Sequence, residues 1–310
     1  MNKDEIFAAV IGVGYLGERH ARKLAAIGGA RLLCVVDKDA GRAQKIAEEL
    51  SCRSFSSIAD LPENVKAAVV AVPTADHFEV ADRLLDRGLD LLVEKPITED
   101  IAEARKMVEK ARRLGRVLAV GHVERMNPAY RAAVGQFERP FLIEARRLAP
   151  LKDRARGVDV VRDLMIHDID LALQIGNGEA ELVSAVGASV FTRKVDVARA
   201  HIRLSGGAQI YLIASRLHAE EVREIEVFDS HGCLQINCRD KTARRFEQSP
   251  NGMMPHPLDV KMADALEEEL KDFLEASRSR KGPAVTGEDG LRALVLADKI
   301  VRVIEEGHRS

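Results

Sequence analysis

The sequence predicts an α/β fold in two parts: an N-terminal doubly wound parallel sheet, followed by an α/β domain with a large, mostly antiparallel sheet. Three observations support this prediction. Short apolar runs alternate with helical patterns as far as residue 121, a glycine-rich turn follows the first run, and longer strand-like stretches follow one another after residue 140. A chain of 310 residues is also long enough for two hydrophobic cores.

The first part alternates between strand and helix. Ile6–Val13 is a continuous apolar run, as expected for a parallel strand that is buried on both faces. Further strands are predicted at Leu32–Val36, Ala67–Val72, Leu89–Val93 and Val117–Gly121, and helices at Leu16–Ile27, Arg42–Leu50, Phe78–Arg87 and Ile101–Leu114. Short links between them favour right-handed crossovers in a doubly wound sheet, which we expect to span residues 1–122.

A glycine-rich turn, Gly12-Val13-Gly14-Tyr15-Leu16-Gly17, joins the first strand to the first helix. Gly12 permits the tight turn, Gly14 lets the backbone approach a pyrophosphate, and Gly17 allows the helix and the strand to pack closely. The helix N-terminus then offers free N–H groups and the positive end of its dipole to the phosphates. In this context the motif predicts a dinucleotide site that includes Tyr15 and Leu16.

The ends of the following strands indicate which dinucleotide binds. Asp37 ends the second strand, where a carboxylate binds the adenosine ribose and repels a 2′-phosphate, so NAD is expected as the cofactor. Lys38 weakens this preference for NAD over NADP, and a helix cap is the structural alternative for Asp37. Ligands bind at the carboxyl ends of such strands. Further cofactor contacts are therefore expected from Val72, Pro73, Thr74 and His77, and from Glu94, Lys95 and Pro96.

The alternation breaks after Pro128, and a second domain is expected over residues 123–310. Strands in succession with turn signals such as Ser205-Gly206-Gly207 predict an antiparallel meander. The strands are predicted at Phe141–Leu148, Val183–Val190, Val197–Leu204, Ala208–Arg216, Glu221–Phe228 and Cys233–Asn237, and the helices at Asp159–Ile175, Lys261–Ser277 and Leu291–Glu306. The last helix (about 288–306) is expected to pack back on the first domain.

The candidate catalytic residues are Lys95, Asp163 and His167. Asp163 and His167 are four residues apart on a predicted helix, so they share one face. Oxidation of an alcohol needs a base for the hydroxyl proton, and the pKa of histidine suits that task. Lys95 would stabilise negative charge on the oxygen, and Asp163 would orient the imidazole or bind a hydroxyl. Whether lysine or histidine takes the proton stays open, and a surface pair or a helix cap is the structural alternative for Asp163 and His167.

These motifs, in this order along nearly the whole chain, resemble the glucose-fructose oxidoreductase/inositol dehydrogenase (Gfo/Idh/MocA) family. The matching segments are Gly12-x-Gly14-x-x-Gly17, Val72-Pro73-Thr74 with His77, Glu94-Lys95-Pro96 and Asp163-x-x-x-His167-Asp168. The resemblance implies an NAD-dependent dehydrogenase that acts on the CH–OH group of a sugar. It also implies a homodimer or homotetramer formed through the C-terminal sheet, and a catalytic cluster of Lys95, Asp163 and His167.

A narrower resemblance concerns the substrate. Gly121–Pro128, Asp163–Asp170 and Ala214–Arg216 are similar to the branch that oxidises the 3-hydroxyl of UDP-N-acetylglucosamine on the route to lipid A, although Met126 stands where that branch usually has Phe. The implied substrate contacts come from Lys95, His122, Arg125, Asn127, Asp163 and His167. His122 is equally well read as a core histidine, and Asp168 and Asp170 as helix caps or ligand contacts.

A basic stretch over residues 146–156 precedes the predicted catalytic helix. Arg154 and Arg156 in this stretch would bind the diphosphate of a nucleotide sugar, since guanidinium groups pair bidentately with phosphate. A solvated loop is the structural alternative.

Composition excludes several other classes of function. With 47 basic and 49 acidic side chains the net charge is −2, so no basic field is available for nucleic acid or an acidic membrane surface. No apolar run approaches the roughly 18 residues of a membrane helix, the N-terminus lacks a signal-peptide pattern, and a cytoplasmic protein is expected. The four cysteines indicate no metal site. The alternatives are a dehydrogenase of free sugars or inositols and a catalytically silent sensor, which the presence of Lys95, Asp163 and His167 disfavours.

Overall fold

The computed structural model describes residues 5–250 and 252–307. The chain forms two compact units, Met1–Val123 with Ala265–Leu291 and Glu124–Asp264 with Arg292–Ser310. One unit contains a parallel sheet and the other a mostly antiparallel sheet, which confirms the predicted α/β fold class. Within the described ranges, no helix has both the length and the apolar character needed to cross a membrane.

The first unit is built on a wholly parallel sheet. Its six strands are β1 Ile6–Ile11, β2 Ala30–Val36, β3 Arg53–Phe55, β4 Ala67–Val70, β5 Asp90–Val93 and β6 Leu118–Val120. They lie in the order β3-β2-β1-β4-β5-β6, so the direction of winding reverses between β1 and β4. Ligands bind at the carboxyl ends of strands beside such a reversal. The short strand β3 was not predicted, because Arg53-Ser54-Phe55 forms no apolar run.

Four helices connect these strands: α1 Tyr15–Ala26, α2 Ala40–Leu50, α3 His77–Asp86 and α4 Ile101–Arg113. Asp100 begins α4 because its carboxylate accepts hydrogen bonds from the first N–H groups of the helix. Asp39 begins α2 in the same way. The helix cap that was the structural alternative for Asp37 is therefore supplied by Asp39, which leaves Asp37 at the strand end.

A helix from late in the chain completes the first unit. Helix α7, Ala265–Ser279, contributes Leu270, Phe273 and Leu274 to the same core as Ala21 of α1. The division expected at residue 122 placed this helix in the second domain. The amphipathic pattern of α7 predicts an apolar face, but a helical period does not state which core that face covers.

The second unit contains an eight-stranded sheet. Its strands, with one short helix before them, are α5 Pro128–Ala133, β7 Leu142–Pro150, β8 Ala180–Ala188, β9 Val197–Leu204, β10 Gln209–Ser215, β11 Leu217–Asp229, β12 Gly232–Asn237, β13 Thr242–Ser249 and β14 Gly252–Pro257. The order is β14-β13-β12-β11-β7-β10-β9-β8, and β7 pairs in parallel with β10. This parallel pair departs from the predicted antiparallel meander. Two parallel neighbours need a long connection between them, and residues 151–208 provide it.

Two long helical segments cover this sheet. Helix α6, Ile166–Gly176, and helix α8, Gly287–Gly307, bury apolar side chains in the core of the second unit. The residues of α8 in that core include Ala293, Leu296, Ala297, Ile300 and Ile304. The last helix therefore divides at Leu291: Gly287–Leu291 belong to the first unit, where the sequence led us to expect the whole helix, and the residues from Arg292 onward belong to the second unit.

Candidate active site

The glycine-rich turn has the geometry that a dinucleotide phosphate requires. Gly12 has φ of +82°, and a Cβ there would lie 2.8 Å from the backbone of Ala71. At Gly17 a Cβ would lie 1.8 Å from the carbonyl oxygen of Gly12, so only glycine fits. A Cβ on Gly14, by contrast, would meet no atom within 4 Å. Gly14 is also the N-cap of α1 and supplies no side-chain cap, which leaves the N–H groups of the helix for a phosphate. These residues fit NAD.

Two alanine substitutions separate packing from cofactor binding. We expect Gly17→Ala to lower the free energy of unfolding by about 1–3 kcal/mol, because the new methyl group overlaps backbone. Gly14→Ala is expected to change that free energy by less than about 0.5 kcal/mol, yet to raise the Kd for NAD at least about tenfold, a loss of about 1.4 kcal/mol. Thermal unfolding and NAD titration measure the two effects. Equal loss of stability in both variants would contradict the assignment of Gly17 to packing and of Gly14 to cofactor binding.

Asp37 lies at the carboxyl end of β2, as predicted, and is linked to the glycine-rich turn. Its carboxylate accepts hydrogen bonds from the N–H groups of Val13 and Asp39, both at 2.9 Å. The Arg42 guanidinium is 3.3 Å from both carboxylate oxygens. Lys38 is mostly exposed and pairs with Asp76 at 2.9 Å. The carboxylate is thereby held beside the pyrophosphate turn.

His77 joins two of the predicted cofactor loops. Its Nδ1 lies 3.0 Å from the carbonyl oxygen of Pro96, and its Nε2 lies 3.0 Å from that of Val72. Burial lowers the pKa of His77 despite these contacts, so the ring is neutral near pH 7 and donates one hydrogen bond at a time. The structure thus brings the loop that contains Pro73 and Thr74 next to the Glu94–Pro96 loop. Both ring nitrogens of His77 thus contact backbone carbonyl oxygens of these loops, and His77 holds the two loops together.

The Glu94 carboxylate binds the backbone of Lys95. One carboxylate oxygen lies 2.7 Å from Nε2 of His20, and the other accepts a hydrogen bond from the Lys95 N–H at 3.1 Å. Burial opposes ionisation, but the hydrogen bond and charge of His20 outweigh it and hold the pKa of Glu94 below its usual value. A Cβ on Gly121 would lie 3.0 Å from this carboxylate, so the strand end passes directly over it. The Lys95 side chain itself is partly exposed.

A second buried carboxyl group, Glu269 of α7, lies near Glu94. Its side chain is 3% exposed, and neither oxygen has a hydrogen-bond partner among the described residues. Burial, reinforced by the charges of Glu94 and Asp272, raises the pKa of Glu269 well above its usual value. The folded protein therefore keeps a proton that the unfolded chain loses above about pH 4.3. Stability falls as pH rises from there toward the folded-state pKa.

We expect Glu269→Gln to raise the free energy of unfolding at pH 7–8 by about 1–3 kcal/mol, because glutamine is neutral without the proton that Glu269 must take up on folding. The gain should shrink toward pH 4, where both states of the wild-type chain hold the proton. Denaturant unfolding across this pH range measures the effect. The exposed Glu275 of the same helix provides a control, because Glu275→Gln should change the result by less than about 0.5 kcal/mol. A pH-independent difference would contradict the explanation.

In the second unit, the candidate catalytic helix begins with a π-helical turn. Asp159 precedes it, and its carboxylate accepts a hydrogen bond from the Arg162 N–H at 2.8 Å. The π-helix spans Val161–Met165 and contains Asp163, and α6 follows with His167 at its second position. The sequence predicted one uninterrupted helix here. A π turn is frequent at functional sites, and Asp163 and His167 are both partly exposed.

The neighbouring acids are neither caps nor exposed ligand contacts. Asp168 pairs with Arg147, and Asp170 pairs with Arg125, both with a shortest distance of 2.7 Å. All four side chains are buried. Arg125 was expected to contact substrate, but its guanidinium is committed to Asp170 and Gln174.

Two other predicted substrate residues are also buried. The Asn127 amide donates to a carboxylate oxygen of Glu124 at 3.0 Å and to the carbonyl of Cys238 at 2.8 Å, and its oxygen caps α5 by accepting from the Ala129 N–H. Asn127 therefore holds the start of α5. His122 follows β6 in the first unit and is almost fully buried.

The basic stretch does not form one group. Alternation along β7 leaves Arg146 exposed and Arg147 buried, and Lys152 and Arg156 are exposed farther along. The side chain of Arg154 lies outside the part of the chain that the structure describes. Each of the other four pairs with an acid of the second unit: Arg146 with Glu224, Arg147 with Asp168, Lys152 with Glu221, and Arg156 with Asp153.

Arg216 is a structural residue whose role the sequence did not reveal. It is buried and donates hydrogen bonds to the carbonyl groups of Ala155 and Val158, and to that of Val195 at 3.2 Å. Its Nε lies 3.3 Å from the carboxylate of Asp196. The loop that holds Arg156 is thus fastened to the end of β10. The sequence signal that could have revealed this role is the position of Arg216, a charged residue at the end of an apolar strand.

Comparisons with known proteins agree with these features. Residues 6–122 match the family described as an oxidoreductase family with an NAD-binding Rossmann fold, and residues 101–235 match the GFO/IDH/MocA C-terminal domain. The chain is 37% identical over 304 residues to a UDP-N-acetylglucosamine 3-dehydrogenase of Acidithiobacillus ferrooxidans, covering 96% of each chain. It is 28% identical to a scyllo-inositol 2-dehydrogenase (NAD(+)) of Bacillus subtilis, covering 92% and 90%.

Solved structures show the same relationship. The structure of the Acidithiobacillus ferrooxidans UDP-N-acetylglucosamine 3-dehydrogenase superposes with a TM-score of 0.92 at 36% identity, over 97% of this chain and 98% of that one. A probable dehydrogenase from Thermotoga maritima gives a TM-score of 0.83 at 26% identity, over 97% of each chain.

Proposed function

Because the chain belongs to the Gfo/Idh/MocA family of NAD-binding oxidoreductases, we propose that it oxidises the 3-hydroxyl of UDP-N-acetylglucosamine to a ketone. The observation that carries this substrate is the 37% identity, over 96% of the chain, to a protein with that named activity. This similarity extends over both units, so it includes the glycine-rich turn and the helix that contains His167.

The chemistry divides between the two candidate residues. NAD, when bound, supplies the acceptor for the hydride that leaves the carbinol carbon. His167 takes the hydroxyl proton, and Lys95 donates a hydrogen bond to the oxygen as it becomes a carbonyl. Asp163 orients the imidazole or binds a neighbouring hydroxyl. The proton on His167 then passes to solvent, to which this side chain is partly exposed.

A 3-keto nucleotide sugar is a substrate for transamination. We propose that an aminotransferase consumes the product, which would place the reaction on the route to a lipid A precursor with an added amino group. The equilibrium of alcohol oxidation by NAD is unfavourable near neutral pH, and removal of the ketone by a following step pulls it forward.

The rival substrate is an inositol or a free sugar. The similarity to a scyllo-inositol 2-dehydrogenase favours it, although at 28% identity. Such substrates have no phosphate, so the exposed arginines of the 146–156 stretch would have no part in binding them.

The deciding experiment is an incubation of the purified protein with NAD and UDP-N-acetylglucosamine. Nicotinamide reduction is followed by absorbance, and mass spectrometry looks for a product lacking two hydrogens. Glutamate and a sugar aminotransferase are added to pull the reaction forward. A keto-sugar that is absent with His167→Ala supports the proposal. Turnover of inositols or free hexoses, with none of the nucleotide sugar, would overturn the substrate and keep the dehydrogenase.

The basic stretch provides a further prediction. Replacing Arg154 and Arg156 together with alanine is expected to raise the KM for UDP-N-acetylglucosamine about 10- to 100-fold, since hydrogen bonds to a charged group contribute about 1.5–3 kcal/mol. Steady-state kinetics measure the effect. The exposed pair of Arg156 with Asp153 adds little stability, so folding should be unaffected. Arg146→Ala, in the same stretch, is the control, and an unchanged KM in the double variant would contradict diphosphate binding by this loop.

A further inference from the structure

Helix α6 carries His167 close to its N-terminus, and most of what it buries is apolar. Ile166, Ile169, Leu171, Ala172, Leu173 and Ile175 all lie in the core of the second unit. Hydrophobic contacts are non-directional, so a helix that is apolar on several sides has little to define its rotation about its own axis. Asp168 and Asp170 are the buried charged residues of this helix, and each has a directional partner.

Arg147 of β7 holds Asp168 through several hydrogen bonds. Its Nη2 lies 2.7 Å from one carboxylate oxygen, and its Nε lies 3.0 and 3.1 Å from the two. Its Nη1 donates to Glu124 at 2.9 Å, which fixes the plane of the guanidinium. Arg147 is 3% exposed and Asp168 is 2% exposed. The strand on which Arg147 lies is central in the sheet, so this anchor is rigid.

Arg125 holds Asp170 in a two-point arrangement. Its Nε and Nη2 donate to the two carboxylate oxygens at 2.8 and 2.7 Å. Its Nη1 donates to the side-chain oxygen of Gln174 at 3.0 Å, one turn farther along α6. Arg125 is 8% exposed and Asp170 is 1% exposed. A fork that binds two successive turns resists sliding of the helix as well as rotation.

The two ion pairs lie on either side of His167. Successive residues of an α-helix are about 100° apart around its axis. Asp168 is therefore about 100° from His167 in one direction, and Asp170 is about 60° from it in the other. A rotation of α6 in either direction would lengthen both sets of hydrogen bonds. The His167 side chain therefore leaves the helix between the directions of Asp168 and Asp170.

We propose that Arg147 and Arg125 are positioning residues that set the direction of the His167 side chain. This inference rests on the role of His167 in the proposed function. Stability alone accounts poorly for the pairs, because buried ion pairs are often replaceable by apolar residues with no loss of stability. Bidentate guanidinium groups are directional and cannot be replaced by lysine at such sites. The hydrogen bonds to Asp168 and Asp170 come from β7 and from the turn that contains Arg125.

The test uses Arg147→Lys and Arg125→Lys, which keep the charge and remove the fork. We expect kcat to fall about 10- to 100-fold in each, because misplacement of a reacting group by about 1 Å costs up to about 100-fold. The KM for the sugar and the Kd for NAD should stay within about twofold of the wild-type values. The control is Arg245→Lys, since Arg245 of β13 forms a similar buried pair with Asp229 away from α6.

A second readout does not depend on the substrate. In protein labelled on histidine, the ring signal of His167 is identified by its loss in His167→Ala. The two lysine variants should shift or broaden that signal, and Arg245→Lys should leave it unchanged. An unmoved signal together with kcat within about twofold of wild type would overturn the proposal, whichever sugar proves to be the substrate. Failure of UDP-N-acetylglucosamine to react, with the signal perturbed, would count against the proposed substrate only.

A paired variant covers the case in which a lysine variant does not fold. Arg125→Met with Asp170→Leu removes both charges at once and leaves no unpaired ion. A folded paired variant with a displaced His167 signal and a low kcat supports positioning. A folded paired variant with wild-type kcat and signal would show that the ion pair is merely structural.

Discussion

Replacing His167 with alanine is expected to lower kcat for sugar oxidation about 100- to 10,000-fold, the usual contribution of a general base. The loss should fall on kcat, because the hydroxyl proton has no acceptor once the imidazole is removed. NAD binding should be unchanged, since the predicted phosphate contacts come from the glycine-rich turn and do not include His167. Steady-state kinetics, with the keto-sugar measured by mass spectrometry, determine the effect.

The control for His167→Ala is His231→Ala, because His231 is exposed in the turn between β11 and β12. Activity near the wild-type value in His167→Ala would refute the assignment of the base to α6. Lys95 would then be the remaining candidate for the proton acceptor. A loss of NAD affinity parallel to the loss of kcat would instead indicate a general defect in folding.

Replacing Lys95 with methionine is expected to lower kcat about 100- to 1,000-fold, the effect of removing one donor that stabilises charge on a reacting oxygen. Methionine keeps the length of the side chain and removes the charge and the hydrogen bonds. The backbone at this position is held by the Glu94 carboxylate, so the loop should keep its place. The measurement is kcat as a function of pH.

The pH profile distinguishes the roles of the two residues. If His167 takes the proton, the residual activity of Lys95→Met keeps the acidic limb of the profile and that of His167→Ala loses it. The reverse pattern would assign the proton to Lys95. Lys45→Met, on the exposed face of α2, is the control and should leave kcat unchanged.

Local sequence patterns were sufficient to predict most of the secondary structure of the first unit. The apolar runs predicted five of its six strands, because strands buried on both faces are marked by composition alone. The glycine positions were also predictable, since close approach and φ of +82° at Gly12 leave no alternative to glycine. The strand β3 was missed because its three residues form no apolar run and contain no glycine.

The polar residues near the catalytic helix could not be assigned in the same way. Arg125, Asn127, Asp168 and Asp170 carry the residue types of a binding site, and in the structure their side chains form buried hydrogen bonds with other parts of the second unit. Their partners are 21, 45 and 111 residues away along the chain. A pattern that extends over one helix turn contains no information about such distances.

Sequence patterns alone predicted the NAD-binding turn, five of the six strands of the first unit with the four helices between them, and the candidate catalytic residues Lys95, Asp163 and His167. These features depend on short-range chemistry: backbone conformation, helix period and side-chain pKa. The folded structure was needed to show that α7 completes the first unit, that β7 and β10 are parallel, and that Arg147 and Arg125 pair with acids of the helix that contains His167. Those features depend on which buried surfaces and charges meet across the chain, because burial selects a partner for every charge and apolar face only after the chain has folded.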